Sequence, residues 1–484
     1  MAQASAPDPK QSWLKEITQP FIDLAHAPRA LWGINLAYFL EGLVYFGMLG
    51  YLAMHFSDFV FMGLEHPDVE AHHMVMVLTA GITISMFFLG TVADKMGIRN
   101  TLLLAFVFLL AGRVLISAAP TVLGMEPGGM WSPLHITTMA GIGLVVLGYG
   151  MYQPAAYAGV RKFTSPKNAA MGFAMLYALM NLGGYLPSWS WLIRDDNPGL
   201  GLGITGTFWF YTALTAVALL TTFFILNSRV EKEAEDAADK ARAEEKAAAG
   251  GTEVQEAVVE KVEAPAPVKN KDFMTKVLDY FRNHPLRDLK FSFFIFALIP
   301  VQTLFTYNWL ILPQYINRAY EGFIGEKFEL ASNFNPILIF LFVPIITALT
   351  QRNKVYSLMI SGTFIMAAPA FFLALGTNIW TLGSYLIFMT IGEALWQPRF
   401  LQYAAEIAPK GRTGEYMGIA QLPWFLTKML VPLYSGHMIA KYVPAEGEKD
   451  PQTMWLIFGL IAMVSCVMLV LAKGWIGNMQ TKAE

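Results

Sequence analysis

Apolar runs of about twenty residues, separated by short polar stretches, fill most of this chain and fall into two groups of six. A helix rises about 1.5 Å per residue, so roughly 20 residues cross the ~30 Å hydrocarbon core of a bilayer. In the first half the runs predict spans near 30–56, 74–93, 101–119, 137–158, 170–193 and 203–226. In the second half they predict spans near 291–315, 334–349, 355–375, 380–398, 415–439 and 453–475. The pattern therefore predicts an all-α membrane protein with twelve transmembrane helices in two six-helix bundles, 30–226 and 291–475. Residues 1–29, with QSWLKEITQPFIDLAHAPRALW running on into the first span, mix apolar and charged positions and suit a helix lying on the membrane surface. No short apolar core followed by a small-residue cleavage site opens the chain, so no cleavable signal peptide is expected.

The polar stretch 227–290 separates the two groups. Its first part, NSRVEKEAEDAADKARAEEKAAAGG, suits a solvated helix, and the Gly-Gly and Pro-Ala-Pro steps beyond suit a linker. The segment KDFMTKVLDYFRNHPLRDLKF then suits an interfacial helix entering the seventh span. Residues 476–484 form a short tail.

Composition agrees with the pattern. The chain has 484 residues, of which 55% are hydrophobic and 14% charged. Its mean hydropathy is +0.44. Such a balance fits an integral membrane protein. A net charge of −2 gives no case for nucleic-acid binding. Cys466 is the one cysteine, so no intrachain disulfide forms. Lys95, Arg99, Arg161, Lys162, Lys167, Arg352, Lys354, Lys410 and Arg412 fall in loops on one side of the predicted spans. The opposite loops hold fewer basic residues: Arg194, Arg318, Lys327, Lys441 and Lys449. The positive-inside rule then places both termini and the linker in the cytoplasm, and the compact loops fit a bacterial inner membrane.

Between the second and third spans lies GTVADKMGIRN. It resembles the cytoplasmic loop signature of the major facilitator superfamily, with Gly90, Asp94, Lys95, Gly97 and Arg99 on the pattern. Gly90 permits close helix approach, Gly97 permits a tight turn, and Asp94 is suited to a helix N-terminus in one conformation. These five residues are expected to take part in conformational gating.

Further stretches resemble the proton-coupled oligopeptide transporters within that superfamily. EGLVYFG matches the family's Glu-Arg-Phe-x-Tyr-Tyr-Gly at Glu41, Tyr45 and Gly47. GYGMYQP is similar to its Gly-x-Gly-x-x-Lys-Pro, and LYALMNLGGYL matches at Tyr177, Asn181 and Gly183. FNPILIFLFVP and IGEALWQP match at Asn335, Pro336, Pro344, Gly392, Glu393 and Pro398. AEIAPKGRTGEYMG fits a further family pattern. Four of the family's charges are absent. Its first-span Glu-x-x-Glu-Arg reads Tyr38, Glu41, Gly42, its span-four lysine is Gln153, and a span-seven acid falls on Pro300. The resemblance implies a transporter with its solute site between the bundles.

Ionisable residues deep in spans are expensive and by default functional. Glu41 lies roughly 15 Å along the helix from Leu31, about half the core thickness. Glu393 lies in span ten, where the resemblance implies an acid that meets a substrate amine or a lysine. A carboxyl that gains and loses a proton biases inward-facing against outward-facing states, so Glu41 and Glu393 are the expected proton-coupling residues. Lys428, well inside span eleven, is the expected cation for a substrate carboxylate or phosphate, or the partner of an acid such as Glu393. Tyr45, Tyr149, Tyr152, Gln153, Asn181, Asn308 and Trp396 complete the expected polar wall of the solute site. Arg113 in span three is expected in an internal ion pair. The loop EHPDVEAHH carries Glu65, His66, Asp68, Glu70, His72 and His73, but its spacing matches no strong metal site and reads as a plain polar loop.

The sequence therefore predicts a secondary active transporter, by proton-coupled symport of a small peptide-like, zwitterionic or amphiphilic solute, acting as a monomer. A proton-driven exporter, an uncoupled facilitator and a transporter-fold receptor with the linker as output element remain alternatives. No Ser/His/Asp order, metalloprotease helix or phosphate-binding loop points to an enzyme or a nucleotide-driven pump, and no cofactor or metal is expected.

Overall fold

The computed structural model describes residues 28–90, 92–164, 166–196, 199–248, 284–350, 353–407, 416 and 419–476. Residues 1–27 with the expected surface helix, residues 271–283 of the interfacial segment before span seven and the tail beyond 476 lie outside these residues.

Helices form where the apolar runs predict spans. They are α1 (Arg29–His55), α2 (Pro67–Leu89), α3 (Ile98–Ala118), α4 (Pro133–Lys162), α5 (Pro166–Tyr185) and α6 (Gly203–Ile225). After the linker come α7 (Leu289–Leu310), α8 (Asn335–Thr350), α9 (Val355–Leu373), α10 (Ile379–Ile407), α11 (Leu422–Tyr442) and α12 (Pro451–Leu471). Nine of these are long and apolar enough to cross a membrane by length and composition; α5, α8 and α11 are the others. No strand occurs among the described residues.

Local chemistry sets several starts. Pro67, Pro133, Pro166 and Pro451 occupy first helical positions, where the missing N–H costs nothing and the fixed φ suits the helix. The side chains of Ser132 and Asp450 accept hydrogen bonds from the backbone N–H groups of His135 and Thr453, at 3.1 Å each. Helix α2 begins at Pro67, seven residues before the apolar run, because the acids Asp68 and Glu70 favour a first turn.

Helices α1–α6 pack into one bundle and α7–α12 into the other. Among the described residues α2 meets α11, α5 meets α8 and α1 meets α7 across the seam between them. The C-terminal bundle is tied by aromatic rings, with Tyr307 stacked on Phe458 at 4.2 Å and Trp396 stacked on Trp424 at 6.2 Å. The first part of the linker is a helix, Ser228–Ala248, but it is not wholly solvated. Val230, Ala234 and Ala238, four residues apart, bury one stripe, and Glu235 pairs with Lys162 at the end of α4 at 2.9 Å. The helix is thus docked on the N-terminal bundle.

Candidate functional site

The seam is sealed at the end away from the linker. His72 of α2 hydrogen bonds across it, Nδ1 to the Ser435 hydroxyl at 2.6 Å and Nε2 to the Gln314 side-chain oxygen at 2.8 Å. Beside it, the Arg318 guanidinium donates to Asp68 at 2.8 and 2.9 Å and to Asp58 at 3.0 Å. A second group lies around Glu329, which accepts from Tyr51 at 2.5 Å and from Arg194 at 2.8 Å. Lys327 pairs with Asp195 next to it. In each case one partner belongs to the N-terminal half and the other to the C-terminal half. Gly436 permits this closure, since a Cβ there would sit 2.7 Å from the Asp68 carbonyl oxygen. The reading of EHPDVEAHH as a plain polar loop is corrected here: Asp68 and His72 are buried in the seal.

Glu41, expected at the solute site between the bundles, has its hydrogen-bond partners within the N-terminal bundle. It is 1% exposed and lies at the centre of the N-terminal bundle. Both terminal nitrogens of Arg113 donate to its two oxygens, one at 2.7 Å. The Tyr149 hydroxyl donates to it at 2.5 Å, and Arg113 reaches the Thr215 hydroxyl at 2.7 Å. Four helices, α1, α3, α4 and α6, therefore share one internally neutral network. Arg113 is drawn inward because a buried carboxylate is tolerated only with its charge and lone pairs answered.

Glu393 stands differently. It is 2% exposed on α10, and Asn335 of α8 donates to it at 2.9 Å and to Thr390 at 2.9 Å. No cation lies within ion-pair distance of it among the described residues. Asn335 lies at the start of α8, the helix that meets α5 across the seam. Lys428 shares a face of α11 with Ser435, seven residues on, opposite the exposed Leu430, Leu433 and His437. It thus points along the seam about 10 Å from the His72–Ser435 contact, half-buried and without an ion-pair partner among the described residues.

The remaining expected site residues separate. Gln153 and Asn181 are half-buried, near the exposed rings of Tyr157 and Tyr177: Gln153 donates to the Tyr157 hydroxyl at 3.5 Å and Asn181 to the Tyr177 carbonyl at 2.9 Å. Tyr45 packs on Tyr149 at 5.0 Å and, with Arg113, lines a small apolar cavity inside the N-terminal bundle. Tyr152 is buried against Tyr38 and Phe106. Asn308 accepts from Tyr385 at 3.0 Å, and Trp396 donates to the Met366 sulfur at 3.0 Å. Both of the latter are buried within the C-terminal bundle. In the loop signature, Gly97 takes φ +79, as its turn requires. A Cβ on Gly90 would stand 2.8 Å from the Met86 carbonyl oxygen, Lys95 is exposed and the Arg99 guanidinium lies 5.3 Å above Phe223. The Asp94 side chain is outside the described positions.

The seal was not read from the sequence, although Pro67 beside two acids was a usable signal of a helix start. Arg194, Arg318 and Glu329 gave no signal of their own, because exposed loop charges and gate charges look alike in one dimension.

Known proteins share this architecture. A POT family transporter crystallised with 5-aminolevulinic acid superposes with a TM-score of 0.65 at 16% identity, covering 93% of this chain and 97% of that one. The POT family transporter PepTSo gives 0.67 at 16% identity, with 93% and 99% covered. The nucleoside transporter NupG gives 0.65 at 13% identity, with 91% and 99% covered, so the shared fold does not select a substrate. Among sequences, multidrug resistance protein MdtH of Yersinia enterocolitica is 25% identical over 182 residues, 38% of this chain and 44% of MdtH. MdtH of Yersinia pestis is 24% identical over 180 residues, 37% of this chain and 44% of its own length. The chain thus matches less than half the length of these relatives. The family model of the Major Facilitator Superfamily matches residues 31–432, across both bundles and the seam, and the chain belongs to that superfamily.

Proposed function

We propose that the protein is a proton-coupled secondary transporter that carries a small zwitterionic or amphiphilic solute by alternating access. One observation carries this reading. Glu393 is a buried carboxyl at the seam with a hydrogen-bond donor but no cation among the described residues. A charge held that way in a membrane is costly, so the site is poised to take up a proton or a cationic group. Lys428 supplies the complementary cation on the same bundle. Gln153, Asn181, Tyr157 and Tyr177 offer the solute an uncharged, partly aromatic wall on the other. Breaking and remaking the seal about Arg318, His72 and Glu329 is the outer half of the cycle, and the Gly90–Arg99 loop serves the inner half. The basic-residue bias supports a cytoplasmic linker and termini, and the proposed setting is a bacterial inner membrane, with one chain as the working unit.

A second reading, a proton-driven exporter of amphiphilic compounds, is favoured by that uncharged wall. Glu41 and Arg113 neutralise one another, so the N-terminal bundle offers no free charge at this network for gripping a peptide terminus. MdtH is named for multidrug resistance, in keeping with such a wall.

Proteoliposomes with an imposed pH gradient test both. 5-Aminolevulinic acid and alafosfalin, which occupy structural neighbours, are the first solutes to try, with a lipophilic cation for the export reading. Accumulation that follows the gradient and disappears in Glu393→Gln supports symport. Expulsion of the cation against its gradient supports export. Movement of every solute indifferent to the pH gradient removes proton coupling.

A further inference from the structure

A second site lies on the outside of the C-terminal bundle, between α9 and α12. There Ser357, Ile360, Ser361 and Phe364 face Cys466, Val470 and Lys473 across an open groove. The two helices run antiparallel, so the start of α9 and the end of α12 lie at the same end of the bundle. Along α9 the stripe reads Lys354, Ser357, Ser361, Phe364, at spacings of three, four and three. Along the opposite wall it reads Lys473, Val470, Cys466, at spacings of three and four. The walls are fixed: the Tyr356 hydroxyl donates to the Leu469 carbonyl at 2.8 Å, and Cys466 is buried at the floor.

The groove is polar at one end and apolar at the other. Lys354 and Lys473 are both exposed at the end that also carries the linker, and neither is in an ion pair among the described residues. The Ser357 and Ser361 hydroxyls follow at one and two turns, and then only Phe364, Val470 and their neighbours face outward. Phe364 and Val470 are each 50% exposed, so this face is turned away from the bundle core and toward lipid. The Ser361 hydroxyl is answered within α9 by the carbonyl oxygens of Ser357 and Leu358, at 3.1 and 3.2 Å, so the charge at this groove comes from the two lysines.

We infer that this groove binds an anionic phospholipid of the leaflet at the linker end, its phosphate between Lys354 and Lys473 and one acyl chain along Phe364, Cys466 and Val470. The argument is charge complementarity. Two lysines at headgroup depth, above an apolar trough, match an amphiphile with a negative head, and basic pockets between membrane helices bind such headgroups. The site is separate from the seam and does not depend on what is transported.

The test uses the full chain in detergent. Added dioleoylphosphatidylglycerol should raise Tm on the order of 5 °C at saturation, and native mass spectra should retain it on the chain. Dioleoylphosphatidylcholine and inorganic phosphate should do neither. The double variant Lys354→Gln/Lys473→Gln should lose both effects. Ser361→Trp, which keeps the lysines and fills the trough, should also lose the retained lipid. Equal stabilisation by phosphatidylcholine, or the full shift from phosphate alone, overturns the proposal. So does retention of phosphatidylglycerol by Ser361→Trp, which decides the matter even if the lysine variant fails to fold.

Discussion

Arg113 grips Glu41 with both terminal nitrogens, 72 residues away along the chain and at the centre of one bundle. The pair joins two helices, and through Tyr149 and Thr215 it joins two more. Removing the charge of this carboxylate would leave a buried guanidinium without its anion.

Replacing Glu41 should therefore damage folding before it damages coupling. Glu41→Gln strands the Arg113 charge, and breaking one side of a buried pair costs about 3–5 kcal/mol. The expected result is a lower Tm and poor recovery from detergent extraction. Glu41→Gln/Arg113→Met should recover much of the loss, because no unpaired charge remains. Normal stability of Glu41→Gln, with transport deaf to a pH gradient, would instead put Glu41 in the proton path.

Glu393 is expected to behave in the opposite way. Its partner is a neutral amide, so Glu393→Gln leaves no charge unanswered and should fold with little change in Tm. Solute exchange with equal solute on both sides should persist, while uphill accumulation driven by a pH gradient should vanish. Intact uphill transport in this variant would remove Glu393 from coupling.

What the sequence revealed and what it concealed divide along physical lines. The spans were legible because burying helices in lipid demands long apolar runs. Asn335 and Glu393 were legible from their motif neighbours, and their contact follows from α8 meeting α10. The fate of Glu41 was not legible, since a single acid in an apolar run carries no mark of its partner. Arg113 was read as paired, but the partner depends on helix rotation, which mean hydropathy does not encode. His72 and Asp68 were assigned to a loop because polar residues interrupt the apolar run. The interruption marks a surface that meets another bundle and not water.

Gly436 offers a test of the seal that leaves its charges in place. Its missing side chain lets α11 approach the start of α2, where a Cβ would fall 2.7 Å from the Asp68 carbonyl oxygen. Gly436→Leu should hold the outer ends apart. Hydrogen exchange at the start of α2 and around 314–330 should quicken, and net transport should fall at least tenfold. Unchanged exchange and transport would mean that the two ends close without this contact.

Lys428 is the last residue to separate a solute contact from a packing role. It faces the seam about 10 Å from the seal, with no anion beside it among the described residues. Solutes with a carboxylate or phosphonate should lose the most when its charge is removed, since a half-buried ammonium without an ion-pair partner favours an anion and has little to offer a cation. For Lys428→Ala, the ligand-induced rise in Tm with alafosfalin should shrink to near zero, whereas a lipophilic cation should stabilise the variant as well as the parent. Because Lys428 has no ion-pair partner to strand, ligand-free Tm should change little. An equal loss for both ligand classes, with a lower ligand-free Tm, would make Lys428 a packing residue and shift recognition of the anionic group to the Tyr157–Tyr177 wall.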